Sequence, residues 1–211
     1  MDLRLLACTQ IIEQGGFSPK EVVAARTMRG IAYRLKGDID RANADFDGAV
    51  TDLDSIIRRN SLDAEAFSLR GVAHRGRGHF KQAIADYDEA IRLDPRDMET
   101  FNSRCWARAL LGTDLDVARA DCDTALRLSN NAPNHLDSRG LVGLKQGKFA
   151  EAWTDYDMAL QAVPGTADFL YGRGIAALRL GRAEEGNTDI REALRLNSNI
   201  ARIFADHGMT P

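Results

Sequence analysis

Small and apolar side chains return at steps of three and four residues along most of the chain. In FKQAIADYDEAIRLDP, which spans Phe80–Pro95, the residues Ala83, Tyr87, Ala90 and Ile91 share one helical face, and polar residues occupy the other. Glycines follow such segments at regular distances, where a left-handed residue would end a helix. The pattern predicts an all-α protein built from short amphipathic helices.

The helical pattern itself repeats about every 34 residues. Five arginines are each followed by a small residue, with spacings of 41, 34, 35 and 34 between the copies: Gly30, Gly71, Cys105, Gly140 and Gly174. A second glycine stands seven residues beyond each of them: Gly37, Gly78, Gly112, Gly147 and Gly181. A bulky position recurs as well: Phe46, Tyr87, Cys122, Tyr156 and Ile190. Each copy predicts a helix, a short turn and a second helix that packs against the first.

Aligned in this way, the copies resemble the tetratricopeptide repeat (TPR) family, and RLDP at Arg92–Pro95 and DYDEAI at Asp86–Ile91 resemble its bacterial members. The resemblance implies an all-α, right-handed α-solenoid of antiparallel helix pairs, with about five repeats and partial repeats that cap both ends. We expect one array over residues 1–211. Its predicted segments are an N-terminal capping half-repeat (1–22), TPR1 with a lengthened second helix (23–63), TPR2 (64–97), TPR3 (98–132), TPR4 (133–166), TPR5 (167–198) and a C-terminal capping helix (199–211).

Two repeats depart from the common length. The first carries seven extra residues, about two helical turns, and its apolar pattern continues through Leu53, Ile56 and Ile57. We therefore expect its second helix to be longer. The third repeat carries one extra residue within Leu111–Val117, and we expect a longer turn there.

Charged residues recur in step with the repeats. Each small residue follows an arginine, and each bulky residue follows an aspartate: Arg29 and Asp45, Arg70 and Asp86, Arg104 and Asp121, Arg139 and Asp155, Arg173 and Asp189. A row of anion-binding arginines is one interpretation, but five matched acids favour structural pairing within each repeat. The second acid of motifs such as DYD is expected on a solvated face.

Cys105 and Cys122 stand at positions that face each other in TPR helix pairs. A redox pair is conceivable, but packing in the core is favoured because a buried cysteine usually behaves as a small hydrophobe. The chain has three cysteines, an odd number, and no Cys-x-x-Cys pair, so we expect no disulfide framework.

The resemblance also implies a concave groove lined by the first helix of each repeat. The predicted partner-binding residues are Trp106, Tyr171, Asn102, Leu141, Val72, Ile175, Glu65, Glu99, Asp137 and Asp168. Some TPR co-chaperones hold a partner's terminal carboxylate with Lys, Arg and Asn at such positions, and here only Asn102 and Asn134 are of that kind. We expect an apolar or basic peptide or helix of a partner protein instead. The alternative is that the aliphatic residues pack between neighbouring first helices and leave a shallow surface without a dedicated ligand.

Composition narrows the function further. A net charge of −3 argues against nucleic-acid binding, and no apolar run is long enough to span a membrane. The sequence contains no catalytic constellation, cofactor motif or metal-ligand cluster. We therefore predict that the protein is a non-enzymatic interaction module with no cofactor. Alternatives are a groove that holds a small apolar ligand or lipid, and a self-associating scaffold such as a homodimer. A cytoplasmic location is expected, or a periplasmic or secreted one if a signal peptide has been removed.

Overall fold

The computed structural model describes residues 3–211, and every regular element in that range is an α-helix. The chain divides into two compact units, Met1–Arg96 and Asp97–Pro211. The all-α prediction is therefore confirmed for the described residues, which include all but the first two residues of the expected N-terminal cap.

The helices follow one another through short connections. In the first unit they are α1 (Leu3–Gln14), α2 (Pro19–Leu35), α3 (Ile39–Arg59), α4 (Ala64–Gly76) and α5 (Phe80–Leu93). In the second unit they are α6 (Met98–Leu111), α7 (Leu115–Ser129), α8 (Pro133–Lys145), α9 (Phe149–Ala162), α10 (Ala167–Arg179), α11 (Ala183–Leu196) and α12 (Ile200–Asp206).

Glycine permits the close approach of the two helices in a pair. A β-carbon added at Gly30 would lie 2.9 Å from Cε1 of Phe46, and one at Gly140 would lie 2.8 Å from Cε2 of Tyr156. Neither distance is compatible with van der Waals contact, so a larger residue would force the helices apart. The small and bulky positions found in the sequence are therefore the two sides of one contact.

In the third pair, a disulfide takes the place of this glycine–aromatic contact. Cys105 on α6 and Cys122 on α7 are fully buried, and their α-carbons lie 5.5 Å apart. Both residues belong to the core, as expected. The expectation that they pack there as free thiols is wrong, because their sulfurs are bonded to each other.

Each of the regularly spaced arginines binds the aspartate of its own helix pair through Nε and Nη2. The hydrogen bonds measure 2.5–3.0 Å, and the pairs are Arg29–Asp45, Arg70–Asp86, Arg104–Asp121, Arg139–Asp155 and Arg173–Asp189. All five aspartates are only 3–6% exposed. The predicted structural pairing is therefore confirmed, and these partly buried pairs set the register of the two helices.

Three of these arginines also reach back to the preceding helix pair. Their Nη1 atoms donate to an aspartate 16 residues earlier, at 2.6–2.8 Å: Arg70 to Asp54, Arg139 to Asp123 and Arg173 to Asp157. The side chains of Asp123 and Asp157 are 50% and 24% exposed, so the second acid does reach solvent, but both also tie successive pairs together, which the sequence did not predict. Such a bridge links each of these helix pairs to the one before it within its unit.

The two length irregularities have different outcomes. The helix α3 has 21 residues, against 14 in α5. Its added turns place Asp54, rather than Asp47, within reach of Arg70. In the third pair two residues, Thr113 and Asp114, separate Gly112 from the next helix, where one residue does so in the other pairs. The helix α6 runs up to that glycine, however, so the connection is three residues long, as elsewhere, and the expected longer turn does not form.

Candidate partner-binding site

The ten predicted partner-binding residues fall in both units. Glu65 and Val72 lie on α4 of the first unit. The other eight lie on the first helices of the pairs in the second unit, at steps of three and four residues: Glu99, Asn102 and Trp106 on α6, Asp137 and Leu141 on α8, and Asp168, Tyr171 and Ile175 on α10. We call the surface that these eight residues define the first-helix face.

In the first unit, the predicted acid already has a cation beside it. The ammonium group of Lys20 lies 2.6 Å from Oε2 of Glu65 and 2.9 Å from Oδ2 of Asp63. These two carboxylates raise the pKa of Lys20. Val72 is half-buried. The α4 surface therefore offers a partner a neutralised acid and little apolar area.

Three residues of the first-helix face contribute mainly to the core. Leu141 is 1% exposed, and Tyr171 and Ile175 are each 3% exposed. All three belong to the hydrophobic core cluster of the second unit, and Trp106 packs against that cluster while remaining partly exposed. For Leu141 and Ile175, this burial agrees with the alternative in which the aliphatic residues pack between helices.

The C-terminal segment of the chain contacts two aromatic residues of the first-helix face, Trp106 on α6 and Tyr171 on α10. The ring of Phe204 lies 4.8 Å from that of Tyr171, and the ring of His207 meets Trp106 edge-on at 5.6 Å. Ile200 and Phe204 of α12 are buried. The contact of His207 with Trp106 was not foreseen from the sequence.

Beyond α12, the tail borders a cleft of about 400 Å³ next to α8 and α10. Its lining combines apolar residues such as Leu144 and Met209 with two cations, Lys145 and Arg179. The guanidinium group of Arg179 donates to the carbonyl oxygen of Thr210 at 3.2 Å. A cleft with two cations in its wall is poorly suited to a purely apolar ligand.

The acids of the first-helix face differ in what lies beside them. Oε1 of Glu99 lies 3.3 Å from Nε2 of His135, a fully buried side chain whose Nδ1 lies 2.8 Å from Oγ of Ser129. Asp137, in contrast, forms no ion pair or hydrogen bond with any described residue. Burial, together with the charge of Asp168, raises the pKa of Asp137 from 3.8 to about 8.

Asp168 also has no cation beside it within the described range. Burial raises the pKa of its carboxyl group, opposed by a hydrogen bond from its own backbone N–H. On α6, the buried Oδ1 of Asn102 accepts no hydrogen bond. The first-helix face thus carries two uncompensated carboxyl groups and an unused amide acceptor.

The hydroxyl group of Tyr156 lies near these two acids. The side chain is fully buried, and the hydroxyl group has no hydrogen-bond partner among residues 3–211. Burial raises the pKa of Tyr156 well above its ordinary value, and Asp137, Asp155 and Asp168 add to that shift. Sequence reasoning placed Tyr156 in the core as a bulky residue and missed this polar end.

A metal site and a membrane-spanning helix are both absent from residues 3–211. In that range, no group of three or more His, Cys, Asp or Glu side chains is arranged to hold a metal ion. No helix of the described chain has both the length and the hydropathy to cross a membrane.

Comparison with known proteins identifies similar sequences and folds. A family model described as tetratricopeptide repeat matches residues 34–98 and 138–199. Among solved structures, MamA has a TM-score of 0.64 at 21% identity, over 82% of this chain and 96% of that one. YrrB, described as a TPR protein with an unusual peptide-binding site, has a TM-score of 0.58 at 18% identity, over 96% of this chain and 98% of that one. TTC0263, a thermophilic TPR protein of Thermus thermophilus, has a TM-score of 0.67 at 19% identity, over 88% of this chain and 97% of that one. Comparison with curated proteins gives no match.

Proposed function

Because the chain belongs to the tetratricopeptide repeat family, we propose that it is a non-catalytic module that binds a peptide or helix of a partner protein on the first-helix face of its second unit. The TPR fold serves protein–protein interaction, and YrrB, which shares the fold, is described as having a peptide-binding site. The observation that carries the proposal is the pair Asp137 and Asp168, two carboxyl groups with which no cation of the described residues forms an ion pair.

The chemistry of the first-helix face favours a basic partner segment. A terminal carboxylate would find no cation beside these two acids and would be repelled by whichever of them is ionised, whereas a Lys or Arg side chain would favour their ionised form. The partly exposed Trp106 supplies apolar area of the kind that often dominates binding energy. The unused Oδ1 of Asn102 offers an acceptor to a donor of the partner.

The disulfide between Cys105 and Cys122 indicates the kind of cellular compartment in which the protein is located. Structural disulfides persist mainly in oxidising compartments, so the bond between Cys105 and Cys122 favours a periplasmic or secreted location over the cytoplasm.

Selection from a random peptide library displayed on phage tests this function. The bait is the full chain, and the library is first depleted on the double variant Asp137→Asn/Asp168→Asn. We expect enriched peptides to combine Lys or Arg with apolar residues. Their affinity for the double variant, measured by calorimetry, should fall about 100-fold, since two charge-assisted contacts are removed. The matched control is Glu184→Gln, which alters an exposed acid outside the first-helix face.

Three results would contradict the proposal. One is enrichment of peptides whose terminal carboxylate is required for binding. Another is an affinity that neither the double variant nor Asn102→Ala changes. The third comes from native mass spectrometry of the purified chain: a retained small apolar molecule, or a dimer that blocks peptide binding, would favour the lipid-binding or self-association alternative.

A further inference from the structure

Asp137 and Asp168, which are partly buried, differ from the buried acids of the second unit. Asp121, Asp155 and Asp189 are each bound by two nitrogen atoms of an arginine. Asp137 and Asp168 lie on adjacent first helices, close enough that the charge of Asp168 raises the pKa of Asp137, and neither has a cation beside it. Uncompensated carboxyl groups at such a site cost stability, which is the usual mark of a place that a ligand completes.

The position of Tyr156 is an independent observation that points to the same place. Its ring fills the space between α8 and α10, because a β-carbon at Gly140 or at Gly172 would collide with it. The atom nearest to Gly172 is Cζ, which carries the hydroxyl group, so the polar end of the side chain reaches α10. Asp137 precedes Gly140 by about one helical turn and Asp168 precedes Gly172 by about one turn. The hydroxyl group of Tyr156, which has no hydrogen-bond partner among the described residues, therefore lies between the helices that carry the two acids.

We propose that Asp137, Asp168 and the hydroxyl group of Tyr156 form a subsite for one primary ammonium group, as carried by a lysine side chain of the partner. The proposal rests on the proposed function and specifies which group the partner inserts. An ammonium group has three N–H donors and no acceptor, and the subsite presents three side chains whose oxygen atoms can accept. The negative charge of the two partly buried carboxylates compensates the charge of the cation.

The arrangement of these acceptors predicts selectivity for lysine over arginine. A guanidinium group is planar and carries its donors in a fixed fork that is best matched by a single carboxylate. The acceptors of the subsite belong to side chains on three different helices, α8, α9 and α10, which suits a compact ammonium group better than a planar fork. We therefore expect the subsite to prefer an ammonium group.

Binding must also displace a proton. In the empty subsite the carboxyl group of Asp137, whose pKa is about 8, is mostly protonated at neutral pH. The nearby acids differ in what they contribute: Asp168 on α10 acts on Asp137, Asp155 on α9 is held by Arg139, and Glu99 on α6 lies beside His135. Occupation by an ammonium group should lower the pKa of Asp137 and release a proton.

Carboxyl ¹³C NMR of the full chain tests the subsite directly. The probes are Nα-acetyl-lysine N-methylamide, the corresponding arginine derivative and n-butylammonium chloride. With the lysine probe we expect saturable shifts of the Asp137 and Asp168 carboxyl signals and a fall of at least one unit in the pKa of Asp137. The arginine derivative should bind at least tenfold more weakly. Asp137→Asn and Asp168→Asn should each weaken lysine-probe binding at least tenfold, and Glu184→Gln should not change it.

Tyr156→Phe separates the role of the hydroxyl group from that of the ring. The variant keeps the packing and removes only an unpartnered oxygen atom, so thermal unfolding should be unchanged while binding of the lysine probe weakens severalfold. Equal affinity for n-butylammonium and the lysine derivative would assign the site to free amines, and tighter binding of the lysine derivative would assign it to a protein side chain. Non-saturable shifts that sodium chloride reproduces, or equal binding of lysine and arginine, would overturn the subsite.

Failure of the subsite and failure of the proposed function give different results. If selected peptides bind the first-helix face of the wild-type and Asp137→Asn chains equally, the subsite is wrong and the function stands. If the lysine probe binds but no peptide is enriched on the face, the function is wrong and the subsite stands.

Discussion

Replacing Asp137 by asparagine should make the second unit more stable, and by an amount that grows with pH. The folded chain raises the pKa of this carboxyl group from 3.8 to about 8. The folded state therefore holds the proton more tightly than the unfolded state does. The contribution of this group to stability is fully present below about pH 4 and is lost as the pH rises to about 8.

The magnitude follows from that change in pKa. One pKa unit corresponds to about 1.4 kcal/mol, so the loss between pH 4 and pH 8 is at most about 6 kcal/mol, of which about 4 kcal/mol has occurred by pH 7. Asp168 titrates together with Asp137, so the loss belongs to the pair rather than to one carboxyl group. An amide at position 137 has no charge to suppress, and the variant should avoid most of this loss.

Urea unfolding followed by tryptophan fluorescence measures the effect in the right part of the chain. Both tryptophans, Trp106 and Trp153, lie in the second unit. Near pH 4 we expect the wild type and Asp137→Asn to unfold at similar free energies. At pH 7.5 the variant should be more stable by about 2–4 kcal/mol.

A matched variant sharpens the comparison. Asp155→Asn removes the carboxylate that binds Nε and Nη2 of Arg139 and should destabilise the second unit by about 3 kcal/mol at neutral pH, because two donors of a partly buried arginine lose their charged partner and only the bond from Nη1 to Asp123 remains. If Asp137→Asn instead behaves like Asp155→Asn, Asp137 has a structural partner and the reasoning about the uncompensated pair is refuted.

Three further changes test the packing. Gly172→Ala should destabilise the second unit by about 1–3 kcal/mol in urea unfolding, because its methyl group would meet the Tyr156 ring; an unchanged midpoint would contradict that contact. Phe204→Ala should cost about 3 kcal/mol, because the ring is buried against Tyr171, and a loss below about 0.5 kcal/mol would show that α12 is not docked. Denatured, unreduced protein from the native cell should react with a thiol reagent at one cysteine, Cys8, and at three after reduction; three reactive thiols without reductant would contradict the disulfide.

The sequence was a good guide to what repeats and a poor one to what occurs once. Helix pairs, glycine–aromatic contacts and the Arg–Asp pairs each recur several times. Because the same spacing returns in each copy, it could be recognised as a structural signal rather than a coincidence. In the second, third and fourth pairs the second acid of motifs such as DYD had the same signal, a 16-residue interval before the arginine of the next pair, as seen for Asp123 and Arg139.

The environment of individual site residues could not be predicted from recurring spacing. The neutralisation of Glu65 by Lys20 depends on two helices whose approach no periodicity encodes. The contact between His207 and Trp106 depends on where a short terminal segment folds back. The bond between Cys105 and Cys122 depends on a sulfur–sulfur approach, whereas the aligned positions established only that the two residues face each other.

The most direct test of the proposed binding face is an NMR map of where a library-selected, lysine-containing peptide binds on the full chain. The account predicts that signals of α6, α8 and α10 respond together, with Asn102, Asp137 and Asp168 among the most strongly shifted. Shifts confined to α7, α9 and α11, with the carboxyl groups of Asp137 and Asp168 unmoved, would contradict it.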